Sequence, residues 1–92
     1  MRDELSFGTV LLTEHPRDGA AVRHRDEVAE TARLAESLGY DSVWVGEHHA
    51  TDHVYFESFG ILSYLAAVTS TIRIGTSICL VPLHNPVFLA ER

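Results

Sequence analysis

Carboxylates and histidines cluster at three points of the 92-residue chain, each directly after an apolar segment. The three groups are Glu14 with His15, then Glu47 with His48 and His49, and finally His84 with Asn85. A free imidazole has a pKa of about 6.5, so it exchanges protons near neutral pH, and a neighbouring carboxylate can hold it protonated. The sequence therefore predicts proton transfer, or binding of a charged cofactor or intermediate, at these points.

The segment Glu47-His48-His49 also carries side chains that bind zinc and iron. Adjacent residues that leave a strand point to opposite sides, so we do not expect His48 and His49 to share one ion. The chain contains no H-x-H and no H-E-x-x-H spacing. We therefore predict no metal site, and a metal-dependent barrel hydrolase is kept as an alternative.

The elements that position these groups follow from the apolar pattern. Strands are predicted over residues 5–13, 43–46 and 72–81, with amphipathic helices between them. Gly39 is expected to end the first helix in the left-handed conformation, and Asn85 with Pro86 has the sequence of a helix start. The order β-α-β-α-β-α, at about 30–40 residues per repeat, is typical of right-handed βαβ units in a parallel sheet.

The predicted fold class is α/β, the N-terminal third of a (β/α)8 TIM barrel. In such a barrel the active site lies at the carboxyl ends of the strands, where all three polar groups fall. Because a complete barrel needs about 250 residues, residues 1–92 are interpreted as one partial domain, cut at the start of the third helix. A Rossmann-type sheet is the rival, but no G-x-G-x-x-G follows the first strand. Two open sheet edges are expected, and open edges favour self-association.

Composition excludes several classes of partner. The chain is 46% hydrophobic and 22% charged, with a net charge of -6, which is typical of a globular protein with an acidic surface. Such a surface repels phosphate backbones and anionic lipids, so neither nucleic acid nor a membrane is expected as a partner. The single cysteine, Cys79, excludes an intramolecular disulfide and fits a reducing cytoplasm. No secretory signal and no run of ~20 apolar residues is present.

The third predicted strand has small side chains on one face, at Gly75, Ser77 and Cys79. Two interpretations remain open. A flat ring could lie against this face, or the small residues could fill the tapering interior of a barrel, where large and small side chains interleave.

Three segments together resemble the N-terminal region of bacterial luciferase-like flavin-dependent monooxygenases. They are 6–13, 38–49 and 74–87, and the resemblance covers essentially the whole chain in order. Its specific part is the combination of Glu-His-His after the second strand with Gly-Thr-Ser and Pro-Leu-His-Asn-Pro at the third.

The resemblance implies a barrel that binds reduced flavin mononucleotide (FMN), or in a related branch a deazaflavin, and that uses oxygen on a small organic substrate or moves hydride. It implies that His48 is catalytic and lies beside the isoalloxazine ring, and that Glu47 lines the cofactor pocket. It also implies a non-prolyl cis peptide between Ser77 and Ile78 against the ring. Some deazaflavin enzymes have a threonine where this chain has Leu80, which favours plain flavin.

The resemblance also implies that later strands supply the phosphate-binding elements. The 92-residue chain alone is therefore expected to be inactive. The alternatives are a non-catalytic or self-associating fragment and a deazaflavin-dependent hydride-transfer enzyme.

Overall fold

A computed structural model describes residues 5–17 and 19–92 of the chain. Its helices and strands follow one another as β1 (Gly8–Leu11), β2 (Glu14–His15), α1 (Ala21–Ser37), β3 (Ser42–Val45), β4 (Val54–Tyr55), α2 (Ser58–Val68), β5 (Arg73–Thr76), a 3-10 turn (Val81–Leu83) and α3 (Pro86–Ala90). Strands β1, β3 and β5 form a parallel sheet in that spatial order. The predicted β-α-β-α-β-α order and the parallel sheet are confirmed.

The core lies between one face of this sheet and the two long helices. Both helices pack on the sheet and on each other, because each has one stripe of apolar residues. The buried members are Leu11, Val28, Ala32, Ala35, Val43, Val45, Ile61, Leu62 and Leu65. None of the helices in 5–17 and 19–92 is both long enough and apolar enough to cross a membrane.

The opposite face of the sheet is largely open to solvent. Its bulky side chains, Val10 and Trp44, are 56% and 38% exposed. The expectation of a fully buried first strand over 5–13 is therefore wrong, and β1 covers only four residues. Side chains alternate across a strand, so Leu11 packs under the helices while Val10 points to the face that no described helix covers.

The third strand is also shorter than the predicted 72–81. The Ser77 amide still donates to the Val45 carbonyl at 2.8 Å, but a cis peptide bond follows between Ser77 and Ile78. The chain then enters the 3-10 turn, where Pro82 has no N–H with which to continue a ladder. The alternation of apolar residues beyond Thr76 belongs to this irregular segment.

A second, two-stranded sheet lies outside the three predicted strands. Strands β2 and β4 pair antiparallel, with Glu14 opposite Tyr55 and His15 opposite Val54. Elements of two residues are too short to show a periodicity. This pair brings the loop after β3 against the end of β1.

The helix ends follow the predicted chemistry. Gly39 has a φ of +86°, the left-handed conformation expected of it. The Asn85 side chain accepts hydrogen bonds from the amides of Val87 at 2.9 Å and Phe88 at 3.4 Å, as expected for an N-cap.

Glu36, near the end of α1, fixes the turn that leads into β5. Its carboxylate accepts hydrogen bonds from the amides of Ser70, Thr71 and Ile72 at 2.9, 2.7 and 2.9 Å. These bonds, the one from Ile72 above all, lower the pKa of Glu36. A single carboxylate thus satisfies three consecutive amides of the connection.

Candidate functional site

Glu47, at the carboxyl end of β3, is the centre of a group of hydrogen bonds. His84, which follows the 3-10 turn, lies with Nε2 at 2.8 and 3.0 Å from the two carboxylate oxygens. His49 Nε2 lies 2.7 Å from Oε1, and the Leu80 amide donates to Oε2 at 3.0 Å. We call Glu47, His49 and His84 the Glu47 cluster. It joins the end of β3 to the chain after β5.

The carboxylate of this cluster is buried yet charged. Glu47 is 8% exposed. Burial acts to raise its pKa, but the hydrogen bonds from His49, His84 and the Leu80 amide outweigh burial and lower the pKa to about 2. Glu47 is therefore ionised at neutral pH. It acts as an acceptor and a fixed negative charge, not as a proton donor.

His48 has different neighbours from His49. Its imidazole is exposed and lies over the ring of Tyr55, with the ring centroids 4.8 Å apart and the planes at 39°. Across residues 5–17 and 19–92 no group forms a hydrogen bond with this imidazole. His48 is thus held by one ring contact while both ring nitrogens stay available.

Glu14 forms a second carboxylate centre behind Tyr55. The Tyr55 hydroxyl donates to Glu14 Oε2 at 2.8 Å, and His53 Nδ1 lies 3.0 Å from Oε1. The bond to Glu14 raises the pKa of Tyr55. Through Glu14, strand β2 therefore supports the Tyr55 ring on which His48 lies.

His15 does not belong to this edge of the sheet. It is 6% exposed, its Nδ1 lies 3.2 Å from the Thr13 carbonyl oxygen, and its ring packs 4.5 Å from that of Phe56. His15 is a packed structural histidine. Asn85, the other polar residue predicted near the site, caps α3.

A cavity of about 150 Å³ lies beside the Glu47 cluster. Its walls are formed by Glu47, His48, His49, Tyr55, Phe56, Glu57, Ser58 and His84. The Ser58 side chain is 1% exposed, and its hydroxyl has no hydrogen-bond partner among the described residues. A buried hydroxyl without a partner is costly, so a polar group that enters this cavity gains a ready hydrogen bond.

Ser77 and Ile78 lie elsewhere, on an open depression of about 490 Å³ on the uncovered face of the sheet. Val10, Trp44, Thr76 and Cys79 complete its lining. The bond between Ser77 and Ile78 is cis, as the resemblance implies. Two of the residues predicted to bind cofactor are therefore neighbours here, whereas Glu47 and His48 line the smaller cavity.

The flat ring that lies against Gly75 belongs to the protein itself. A Cβ atom on Gly75 would lie 2.7 Å from Trp44 Cζ3, and one on Gly8 would lie 2.8 Å from Trp44 Nε1. The indole of Trp44 therefore extends over both neighbouring strands. The three small residues of the predicted third strand therefore differ in role. Gly75 makes room for Trp44, whereas Ser77 and Cys79 line the depression.

Sequence reasoning did not single out Trp44, Tyr55 or Ser58. For Trp44 a clue exists, since β3 and β5 pair it with Gly75 in register, a bulky ring opposite a residue without a side chain. No pattern in the sequence marks Tyr55, because its partner Glu14 is 41 positions away in the chain. None marks Ser58 either, since its burial results from the packing of the whole chain.

Comparison with known proteins shows what the chain is similar to. The family model of luciferase-like monooxygenases matches residues 5–92. The "Luciferase-like monooxygenase" of Escherichia coli (strain K12) is 32% identical over 89 residues, which cover 96% of this chain and 27% of that protein. The 4-hydroxyprotoasukamycin monooxygenase of Streptomyces nodosus subsp. asukaensis is 34% identical, over 98% of this chain and 24% of its own length.

The alkanal monooxygenase alpha chain of Photorhabdus laumondii is 30% identical, over 90% of this chain and 23% of its own length. Among solved structures, the crystal structure of apo-MsnO8 superposes with a TM-score of 0.81 at 30% identity, over 96% of this chain and 27% of that one. The chain thus spans about a quarter of the length of these relatives. Its fold is that of the opening strand–helix units of a (β/α)8 barrel, and the chain belongs to the luciferase-like monooxygenase family.

Proposed function

We propose that this chain forms the first part of a flavin-dependent monooxygenase that uses reduced FMN and oxygen on a small organic substrate. The observation that carries the proposal is the depression on the uncovered face of the sheet, which reaches the end of β5, in a chain of this family. When bound, the flavin supplies the redox chemistry with oxygen. The residues described here supply a surface for the ring, a proton-exchanging group and a fixed negative charge.

The depression has the shape and chemistry that a flat heteroaromatic ring needs. It is wide, and apolar side chains of Val10, Trp44 and Ile78 contribute much of its lining. Ser77 and the backbone around it add polar groups at its edge. We propose Ser77 and Ile78 as cofactor-binding residues, because a ring in the depression contacts both.

His48 is proposed as the catalytic residue. Its exposed imidazole is placed by the ring contact with Tyr55, and its nitrogens are free to hold or release a proton. Histidine is the side chain that most often transfers protons in enzyme active sites. Glu47 is proposed to line the cofactor pocket, as the ionised carboxylate that also orients His49 and His84 along the cavity wall.

For the 92-residue chain in isolation we propose no turnover, since it spans about a quarter of its relatives. A second candidate applies to that chain, namely self-association. Phe7 is 61% exposed and Ile78 72%, and β1 and β5 are edge strands within the described part of the chain. Sedimentation of the chain over a range of concentrations tests this candidate, and a monomer at all concentrations contradicts it. We further propose a cytoplasmic setting, which suits the unpaired thiol of Cys79.

The test is a titration of the 92-residue chain with FMN, followed by flavin fluorescence. We expect saturable binding that His48→Ala weakens about tenfold, as for the loss of one good contact. His53→Ala is the matched control, because this histidine also lies in the loop after β3 and its side chain is 54% exposed. A parallel titration with a deazaflavin decides between the two cofactors. A chain with native circular dichroism that binds neither, or equal binding by the His48 and His53 variants, contradicts the proposal.

A further inference from the structure

Three side chains with different donor atoms meet beneath the carboxyl ends of β3 and β5. A carboxylate oxygen of Glu47, the sulfur of Cys79 and an imidazole nitrogen of His84 all lie within 4.8 Å of one another. Glu47 is 8% exposed, and the side chain of His84 is 16% exposed. Cys79 is partly exposed and forms no disulfide. The group is therefore sheltered, yet open to solvent on the side of the thiol.

The donors are those that zinc prefers. Thiolate, imidazole and carboxylate bind zinc at about 2.0–2.3 Å in a tetrahedral arrangement, which puts neighbouring donor atoms about 3.3–3.8 Å apart. His84 Nε2 and Glu47 Oε1 are 2.8 Å apart, so this pair has to open slightly while the sulfur moves inwards. Side-chain rotation is sufficient for shifts of this size. Magnesium and calcium prefer all-oxygen sites and do not suit this set.

His49 or a water molecule can supply the fourth ligand. His49 Nε2 already lies 2.7 Å from Glu47 Oε1, and the His49 side chain is 54% exposed, so either this imidazole or a water molecule can complete the tetrahedron. The Leu80 amide remains on Glu47 Oε2 and holds the carboxylate in place. The Glu47 carboxylate and the Cys79 thiolate together balance the double positive charge of the zinc ion.

We propose that Glu47, Cys79 and His84 bind a zinc ion. Zinc binds the thiolate form of Cys79, so its binding releases the proton of that thiol, and the ion takes the place of the hydrogen bond between His84 Nε2 and Glu47. His48 and His49, the two histidines that are neighbours in the chain, are not expected to share an ion. The structure instead assembles ligands that are 32 and 37 positions away from Glu47.

The test uses Co²⁺ as a spectroscopic substitute for Zn²⁺ with the reduced, metal-free 92-residue chain. We expect one Co²⁺ per chain, a thiolate-to-cobalt band in the near ultraviolet, tetrahedral bands in the visible, and loss of all of them when Zn²⁺ is added. Cys79→Ser is expected to remove the thiolate band and to weaken binding about tenfold or more, and His84→Gln to weaken it about as much. His53→Gln, which alters an exposed histidine bonded to Glu14, is expected to leave the titration unchanged.

A parent chain without a thiolate band overturns the proposal, as does a Cys79→Ser variant that binds Co²⁺ as tightly as the parent. Equal weakening by His53→Gln also overturns it, since it indicates non-specific histidine binding. Circular dichroism of each variant separates loss of a ligand from loss of the fold. Because the thiolate band is read on the unaltered chain, the proposal stays testable even if His84→Gln fails to fold.

Discussion

Glu47 and His84 are 37 positions apart in the chain, and their side chains are joined at 2.8 Å and 3.0 Å. The contact links the end of β3 to the segment that follows β5. It exists because parallel strands end at one edge of the sheet and because the 3-10 turn returns His84 to that edge. The cavity with His48 and Tyr55 on its walls depends on this link.

Glu47→Gln is expected to destabilise the chain by roughly 1.5–3 kcal/mol, since bonds to a buried charged group contribute on that order. The amide cannot accept from His49, His84 and the Leu80 amide as the carboxylate does. Thermal unfolding followed by circular dichroism measures the change. Glu30→Gln is the control, because Glu30 lies exposed on α1, and a loss of stability as large in that variant would contradict the role given to Glu47.

The stability of the metal-free chain is expected to fall in acid. The pKa of Glu47 is lowered from the ordinary 4.5 to about 2, so its contribution is present above pH 4.5 and is lost as the pH falls towards 2. Urea unfolding at several pH values, with a chelator present, gives this profile. The free energy of unfolding of Glu47→Gln should change less between pH 4.5 and 2 than that of the parent chain. Parallel profiles would show that other groups cause the acid loss.

Glu36→Gln is expected to lower Tm by several degrees. The three consecutive amides all donate to one charged oxygen, Glu36 Oε2, whereas the carboxamide oxygen of Gln is uncharged and accepts more weakly. Hydrogen exchange of the Ser70, Thr71 and Ile72 amides measures the effect locally. Their protection should drop while that of the α1 amides near Val28 stays high. An unchanged hydrogen-exchange rate of the Thr71 amide in Glu36→Gln would contradict this prediction, because this amide forms the shortest of the three bonds.

Gly75→Ala is expected to destabilise the sheet by about 1–3 kcal/mol through overpacking against Trp44. The new Cβ would lie 2.7 Å from Trp44 Cζ3. In a Trp44→Ala background the same change should cost much less, and the double-mutant cycle measures that difference. Gly46→Ala is the control, since its Cβ would meet its nearest neighbour at 3.5 Å. Additive effects of Gly75→Ala and Trp44→Ala would contradict the contact.

The sequence was sufficient for the order of the large elements. Val28, Ala32 and Ala35 form a stripe at helical spacing, and the stripe is buried as expected. Gly39 and Asn85 mark helix ends through local backbone chemistry, which a short sequence window contains. Burial of strand faces depends on which helices cover them, and no window near Val10 contains that information.

The candidate site was only partly accessible to the same reasoning. That polar groups gather at the carboxyl ends of the strands follows from parallel topology. Parallel topology does not determine which of these polar groups form hydrogen bonds with each other. The bond between Glu47 and His84 depends on the path of the irregular chain after Thr76. His15 was predicted to lie near the site, and this prediction is wrong. Like His48 it directly follows a glutamate, but its ring packs on that of Phe56.

Trp44 is the single tryptophan of the chain, and its indole donates to Ser42 Oγ at 2.9 Å while lying across the glycines of both neighbouring strands. It also borders the depression proposed for the flavin. Tryptophan emission overlaps flavin absorption, so a flavin bound there would quench it by energy transfer. The protein therefore carries a built-in optical probe beside the proposed site, and cofactor arrival can be timed in a stopped-flow instrument without attaching any label.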